Sequence, residues 1–240
     1  MFWKSALVAC GVAITMACGG SSPTGPTGER IPRLSRTRFL AFGDSITAGE
    51  VTSPVGASGI TRLVVVPSAS YPTVLQSQLT SQYSAQASSI LVNNQGRSGE
   101  TIVDGALRFG DVFDTNRPEV VLLQEGVNGL GVAGPDATTA LMRQMVQRAS
   151  HGSARVFVGS MVPTLPNRQR SQNPNELVAY NDRLRTMCVE EGVTYVDLYD
   201  PLLADAATLI GSDGLHPNEA GYRRIADLFF ASIRATLEEP

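Results

Sequence analysis

The chain has 240 residues, 42% of them hydrophobic, which is the size and composition of one large globular domain able to bury a core. Its 19 Lys and Arg against 22 Asp and Glu leave a formal net charge of −3, and the arginines are scattered rather than striped, which argues against a nucleic-acid partner. The three cysteines stand at spacings that suggest neither a disulfide framework nor a zinc site.

The opening segment, "MFWKSALVACGVAITMACGG", carries the only lysine, Lys4, and then an apolar run from Ala6 to Ala17. That run is shorter than the about 20 residues a membrane-spanning helix needs, and it reads as an export signal. Ala17-Cys18 followed by "GGSSPTGPTGE" resembles a bacterial lipoprotein signal, which is cut before a cysteine that is then lipidated. The expectation is a signal peptide over 1–17, lipidation at Cys18 and a flexible Gly/Ser/Pro/Thr tether over 18–37, with the folded domain over 38–240. The product would be a cell-envelope lipoprotein, touching the membrane only through its anchor. An ordinary signal peptide cut nearby would instead give a secreted or periplasmic protein.

Beyond the tether, apolar runs alternate with amphipathic ones. Strands are predicted at "RFLAFG", "SILVNN", "EVVLLQEG", "ARVFVGSMV" and "VTYVDLY". Helices are predicted from near Tyr71, from near Thr101, from Asp136, over "NPNELVAYNDRLRTMCVEEG" and over "NEAGYRRIADLFFASIRATL". Five continuous apolar strands separated by helices predict a parallel sheet covered on both faces, with a site at the carboxyl ends of the strands. Residues 50–70 and 163–175 break the alternation and are expected near that rim. Within the first of them, "LVVV" at 63–66 is expected as a short strand or loop packed on the core.

The first strand runs into "GDSITAG", and the residues after Gly43 fit two roles. Asp44 or Ser45 caps the next helix, or Ser45 is a nucleophile held at the top of the sheet. A nucleophilic serine needs a base, and the chain has only two histidines. His151 precedes Gly152 at a predicted helix end and suits a structural role there. His216 lies in the turn "GSDGLHPNEAGY", where Asp213 could hold one ring nitrogen. On these residues alone, a turn-forming Asp213 and a pre-proline His216 fit equally well.

Four blocks together resemble the SGNH hydrolases, also known as GDSL-like lipases and esterases: "GDSIT" at 43–47, "NNQGRSGET" at 93–101, "EGVNG" at 125–129 and "DGLHP" at 213–217. The resemblance spans roughly Arg38 to Leu237 and departs at Gly129, where many relatives carry Asp. It implies an α/β, three-layer αβα sandwich with a five-stranded parallel sheet of flavodoxin-like form. It implies Ser45 as nucleophile, His216 as base and Asp213 as the acid that orients it, with an oxyanion hole from the Ser45 amide, the Gly96 amide and the Asn128 side chain. Asp44 is expected to hold its turn, and Asp197 and Asp200 are rival acids set aside for Asp213 because it shares a turn with His216. No cofactor and no metal are expected. The expected activity is hydrolysis of carboxylic esters with short, acetyl-type acyl groups, the substrate being a small ester or acylated saccharide. The alternatives are a lysophospholipase, lipase or acyltransferase on the same site, or a non-catalytic surface protein that binds glycan or lipid.

Overall fold

The computed structural model describes Met1 and residues 31–55 and 60–239. Strand β1 (Arg33–Leu34) is followed by β2 (Arg38–Gly43), the short helix α1 (Ser45–Ala48), β3 (Glu50–Val55), β4 (Ile60–Val65) and α2 (Tyr71–Gln82). Next come β5 (Leu91–Gly96), α3 (Ile102–Asn116), β6 (Val120–Gln124), α4 (Leu130–His151), β7 (Arg155–Gly159), α5 (Pro174–Glu190) and β8 (Thr194–Val196). The chain ends with α6 (Tyr199–Leu203), α7 (Ala206–Leu209), α8 (Glu219–Leu237) and β9 (Glu238–Glu239).

Five strands form one parallel sheet in the order β5-β2-β6-β7-β8. Counted along the chain, that is the 2-1-3-4-5 order of a doubly wound flavodoxin-like sheet, whose connections reverse direction between β2 and β6. The central strands explain their own position. Phe39 to Gly43 and all of β6 are buried, because helices cover both faces and an apolar run has no side left for water. The edge strand β5 carries Asn93, Asn94 and Gln95 and is only half-buried. Helices α2 and α8 pack together on one side, while α3, α4 and α5 pack in series on the other. Tyr71 stacks on Phe229 with ring centroids 5.1 Å apart, joining α2 to α8.

Two expectations change, the domain start and the start of α4. The folded domain begins at Ile31 rather than residue 38, since β1 pairs antiparallel with β9 and Gln86 clamps both backbone groups of Leu34, at 2.7 Å and 3.0 Å. The signal peptide, Cys18 and the remainder of the expected tether lie outside the described residues. Helix α4 starts at Leu130, not Asp136. Its run breaks at Gly134, with φ 77° and ψ 163°, so the predicted start at Asp136 marks only its second segment. The insertion after the first central strand is a hairpin: β3 and β4 pair antiparallel from Glu50 opposite Val65, and the "LVVV" stretch is mostly β4.

Candidate active site

The connections reverse between β2 and β6, and in open parallel sheets ligands bind at the carboxyl ends of the strands at such a switch. Strand β2 delivers Asp44 and Ser45 there. Asp44 caps α1, its Oδ1 accepting from the Ile46 amide at 2.9 Å, and Ser45 is the first residue of that helix. The capping role thus falls to Asp44, which leaves the Ser45 hydroxyl free for another partner.

That partner is His216. Its Nε2 lies 2.8 Å from Ser45 Oγ, across 171 residues of sequence, and its Nδ1 lies 2.6 Å from Asp213 Oδ2. All three side chains are buried. The turn that carries the pair is fixed by its own backbone. Asp213 Oδ1 accepts from the amides of Leu215 and His216, both at 3.1 Å, and the Gly211 amide donates to the His216 carbonyl at 2.7 Å. Burial pushes the Asp213 carboxyl up, but the hydrogen bond from His216 and the Leu215 amide outweigh it and leave the group below its ordinary value.

Both insertions reach this turn. The amides of Leu165 and Arg170 donate to the carbonyls of Gly214 and Asp213, each at 2.8 Å, and Arg170 Nε stands 3.8 Å from Asp213 Oδ2. From the other side, the hairpin brings Glu50 Oε2 to 3.4 Å from His216 Nε2. Tyr222 of α8 donates to the Glu50 carbonyl at 2.5 Å.

The expected oxyanion donors are placed unequally. Asn128 follows β6 and donates through Nδ2 to the Glu100 carbonyl at 3.0 Å, so it abuts the turn after β5. An amide nitrogen carries two donors, so one remains. Gly96 does not fit the role expected of it. Its N–H already donates to Asn94 Oδ1 at 2.9 Å, and a Cβ there would lie 2.1 Å from the Ala48 nitrogen. Its lack of a side chain serves the packing of β5 against α1. Gly99, three residues on, is exposed in the turn beside Glu100, with φ 73° and open space where a Cβ would stand.

A cluster of acids lies beneath these groups. Burial raises the Asp44 carboxyl to about 6. The Ile46 amide and His216 oppose this, and Glu100 and Glu50 add to it. Burial also raises Glu125 well above its ordinary value, and Asp44 and Glu100 add to that. Glu100 is held by Arg108, whose Nε donates to Oε1 at 2.7 Å and whose guanidinium lies 4.2 Å above the Phe42 ring. Sequence reasoning missed Glu50, Glu100 and Glu125. The last two stand inside the second and third motif blocks, but nothing in their spacing says they converge.

His151 and the rival acid Asp197 have local roles. His151 is exposed at the end of α4. Asp197 Oδ1 accepts from the Tyr199 and Asp200 amides at 3.0 Å and 3.3 Å, holding the entry to α6. Among the described residues no group of three or more His, Cys, Asp or Glu side chains is arranged to hold a metal ion.

A serine, histidine and aspartate in hydrogen-bonded series at the switch point of a parallel sheet make a site suited to acyl transfer. Residues 41–224 match the GDSL-like lipase/acylhydrolase family, and the chain belongs to it. It is 23% identical over 176 residues to a multidomain esterase of Ruminococcus flavefaciens, covering 65% of this chain and 22% of that protein. It is 27% identical over 100 residues to a GDSL lipase of Mycobacterium tuberculosis, covering 41% of this chain and 42% of that one. The chain therefore spans less than half the length of these curated relatives. Among solved structures, a lipase/acylhydrolase from Enterococcus faecalis superposes with a TM-score of 0.66 at 21% identity, over 84% of this chain and 97% of that one. A catalytic mutant of an acetylxylan esterase from Geobacillus stearothermophilus gives 0.65 at 19% identity, over 83% and 94%. These likenesses establish a shared fold.

Proposed function

We propose that the protein is a serine esterase that hydrolyses short-acyl, acetyl-type carboxylic esters. The observation that carries this reading is the continuous relay from Ser45 Oγ to His216 Nε2 at 2.8 Å and from His216 Nδ1 to Asp213 at 2.6 Å. In this reading Ser45 Oγ attacks the acyl carbonyl while His216 Nε2 takes its proton. The imidazolium, held by Asp213, then protonates the leaving alcohol, and water releases the acid by the same route in reverse. The oxyanion is held by the Ser45 amide, the free N–H of Asn128 and a backbone amide of the 97–100 turn. Gly99 is the better candidate there, because the Gly96 amide is spent on Asn94. Relatives in the family and fold include an esterase, lipases and an acetylxylan esterase, which supports an ester or acetylated saccharide as substrate.

The acyl group is proposed to be short. The insertions at the rim are rich in small and polar residues, and the apolar Leu63 and Val64 of β4 are already partly buried in the hairpin. A panel of p-nitrophenyl esters tests this: kcat/KM should fall beyond about four acyl carbons. An acyl channel would instead gain about 0.8 kcal/mol per added methylene. Steady improvement from acetate to octanoate would favour a lipase. Export as a lipoprotein is likewise proposed, with Cys18 as the lipidated terminus and residues up to Arg30 as the spacer to a domain that begins at Ile31. Cys18→Ser should move the protein out of the membrane fraction, and an unmodified mature terminus by mass spectrometry would leave simple secretion.

A further inference from the structure

The histidine that serves Ser45 has a second acid beside it, on the side away from Asp213. Glu50 Oε2 lies 3.4 Å from Nε2, the same nitrogen that lies 2.8 Å from Ser45 Oγ. A charge-assisted N–H···O bond is about 2.7–2.9 Å long, so Glu50 does not take His216 from the serine. The segment that carries the carboxylate is nonetheless held in place. Its backbone is tied to α8 through Tyr222, and two residues on, Thr52 packs so closely on the catalytic turn that a Cβ at Gly211 would lie 2.1 Å from its Oγ1. The Glu50 side chain keeps 12% exposure.

This position has a chemical meaning that rests on the proposed esterase reading. As the tetrahedral intermediate on Ser45 collapses, Nε2–H must reach the departing ester oxygen at hydrogen-bond distance. A hydroxyl on the carbon adjacent to the ester-bearing one can then come within reach of Oε2, which stands 3.4 Å from the same Nε2. We infer that Glu50 is a specificity-determining residue, which accepts a hydrogen bond from a free hydroxyl neighbouring the ester in the leaving alcohol. The substrate class is then an ester of a neutral polyhydroxy alcohol, such as a partly acylated saccharide. A leaving group bearing phosphate or carboxylate would meet like charge at Glu50.

The test compares two leaving groups on one acyl group. A methyl xyloside monoacetate with its other hydroxyls free is set against the same compound with those hydroxyls methylated. Both give the same acetyl-enzyme, so their kcat/KM values differ only in the acylation step, where Glu50 acts. The wild type should favour the free compound by about 10- to 100-fold, the range for a hydrogen bond to a charged group. In Glu50→Ala that ratio should shrink to within about 3-fold, and in the isosteric Glu50→Gln it should be intermediate. A ratio near one in the wild type overturns the inference, as does a ratio that survives in both variants. Equal loss on both compounds also overturns it, because Glu50 would then act only by positioning His216. Ser45→Ala keeps the two readings apart. If it still releases acetate, the esterase reading fails; if it is inactive while the ratio ignores Glu50, only this inference fails.

Discussion

Asp213 and His216 come from one turn, DGLHP, and reach Ser45 with hydrogen bonds already at 2.6 Å and 2.8 Å. The expected oxyanion donors from two separate strand ends are partly engaged elsewhere. Asn128 donates to the Glu100 carbonyl, and Gly96 donates to Asn94. The relay half is complete before substrate arrives, whereas the proposed oxyanion half keeps only the Asn128 N–H that the Glu100 carbonyl leaves free and loses the Gly96 amide to Asn94. A short turn can satisfy its own amides locally and still aim a side chain. A pair of strand ends cannot, because each amide not paired in the sheet seeks another acceptor.

The largest effect should come from breaking the relay half. Ser45→Ala and His216→Ala should each lower kcat by about 10⁴- to 10⁶-fold while leaving the circular dichroism spectrum unchanged. Because the two act as a unit, the double variant should be little worse than either single one. A Ser45→Ala protein that keeps most of its activity would place the nucleophile elsewhere. On the donor half, Asn128→Ala should cost about 10²- to 10³-fold in kcat, with a much smaller change in KM. A loss confined to KM would make Asn128 part of the substrate-binding wall instead.

The acid cluster beneath both halves gives a smaller effect, visible in stability. Asp44 is fully buried, with its carboxyl raised to about 6 from an ordinary 3.8, chiefly by burial. Between those pH values the folded chain keeps a proton that the unfolded chain has released. Stability therefore falls as pH rises through that window, by on the order of 3 kcal/mol in all. Asp44→Asn retains an oxygen for the Ile46 amide and carries no charge. It should stabilise the protein at pH 7 by up to that amount, and the advantage should disappear below about pH 4. Urea midpoints at pH 4 and pH 7 measure it; an equal difference at both would mean that the charge of Asp44 is not what limits stability.

The contrast between the halves also explains what the sequence makes legible. The central strands are readable because burial on both faces demands unbroken apolar runs, as in "VVLLQ". The contact of Asp213 with His216 is offered by a turn in which only two residues separate them, and the family resemblance chooses it over a plain turn. The hairpin at 50–65 is not, since Ser53 and Pro54 interrupt its strand pattern. The start of α4 is hidden for a similar reason: Gly129, Gly131 and Gly134 mask the short helical segment that begins at Leu130, before Asp136. Glu100 and Glu125 meet Asp44, and Glu50 meets His216, only once the ends of β2, β5 and β6 and a hairpin converge. Sequence spacing carries no trace of that.

The two glycines of "NNQGRSG" show the limit most sharply, because the motif offers both Gly96 and Gly99 and only packing tells them apart. At Gly96 an added methyl would lie within 2.1 Å of the Ala48 nitrogen and 2.5 Å of the Thr47 carbonyl carbon, both backbone atoms of the helix that carries Ser45. Neither atom can rotate away, so α1 must shift. Gly96→Ala should therefore cost about 1–3 kcal/mol in stability and displace the serine. At Gly99 nothing lies within 4 Å, and the only penalty is its φ of 73°, about 1–2 kcal/mol for an alanine. Gly99→Ala should thus fold with a smaller drop in Tm. If its amide faces the oxyanion, as proposed, Gly99→Ala should lose kcat out of proportion to that drop. Gly96→Ala should instead lose stability and activity together. A Gly99→Ala enzyme with full kcat would return the donor role to Gly96, whose amide would then have to leave Asn94 when substrate binds.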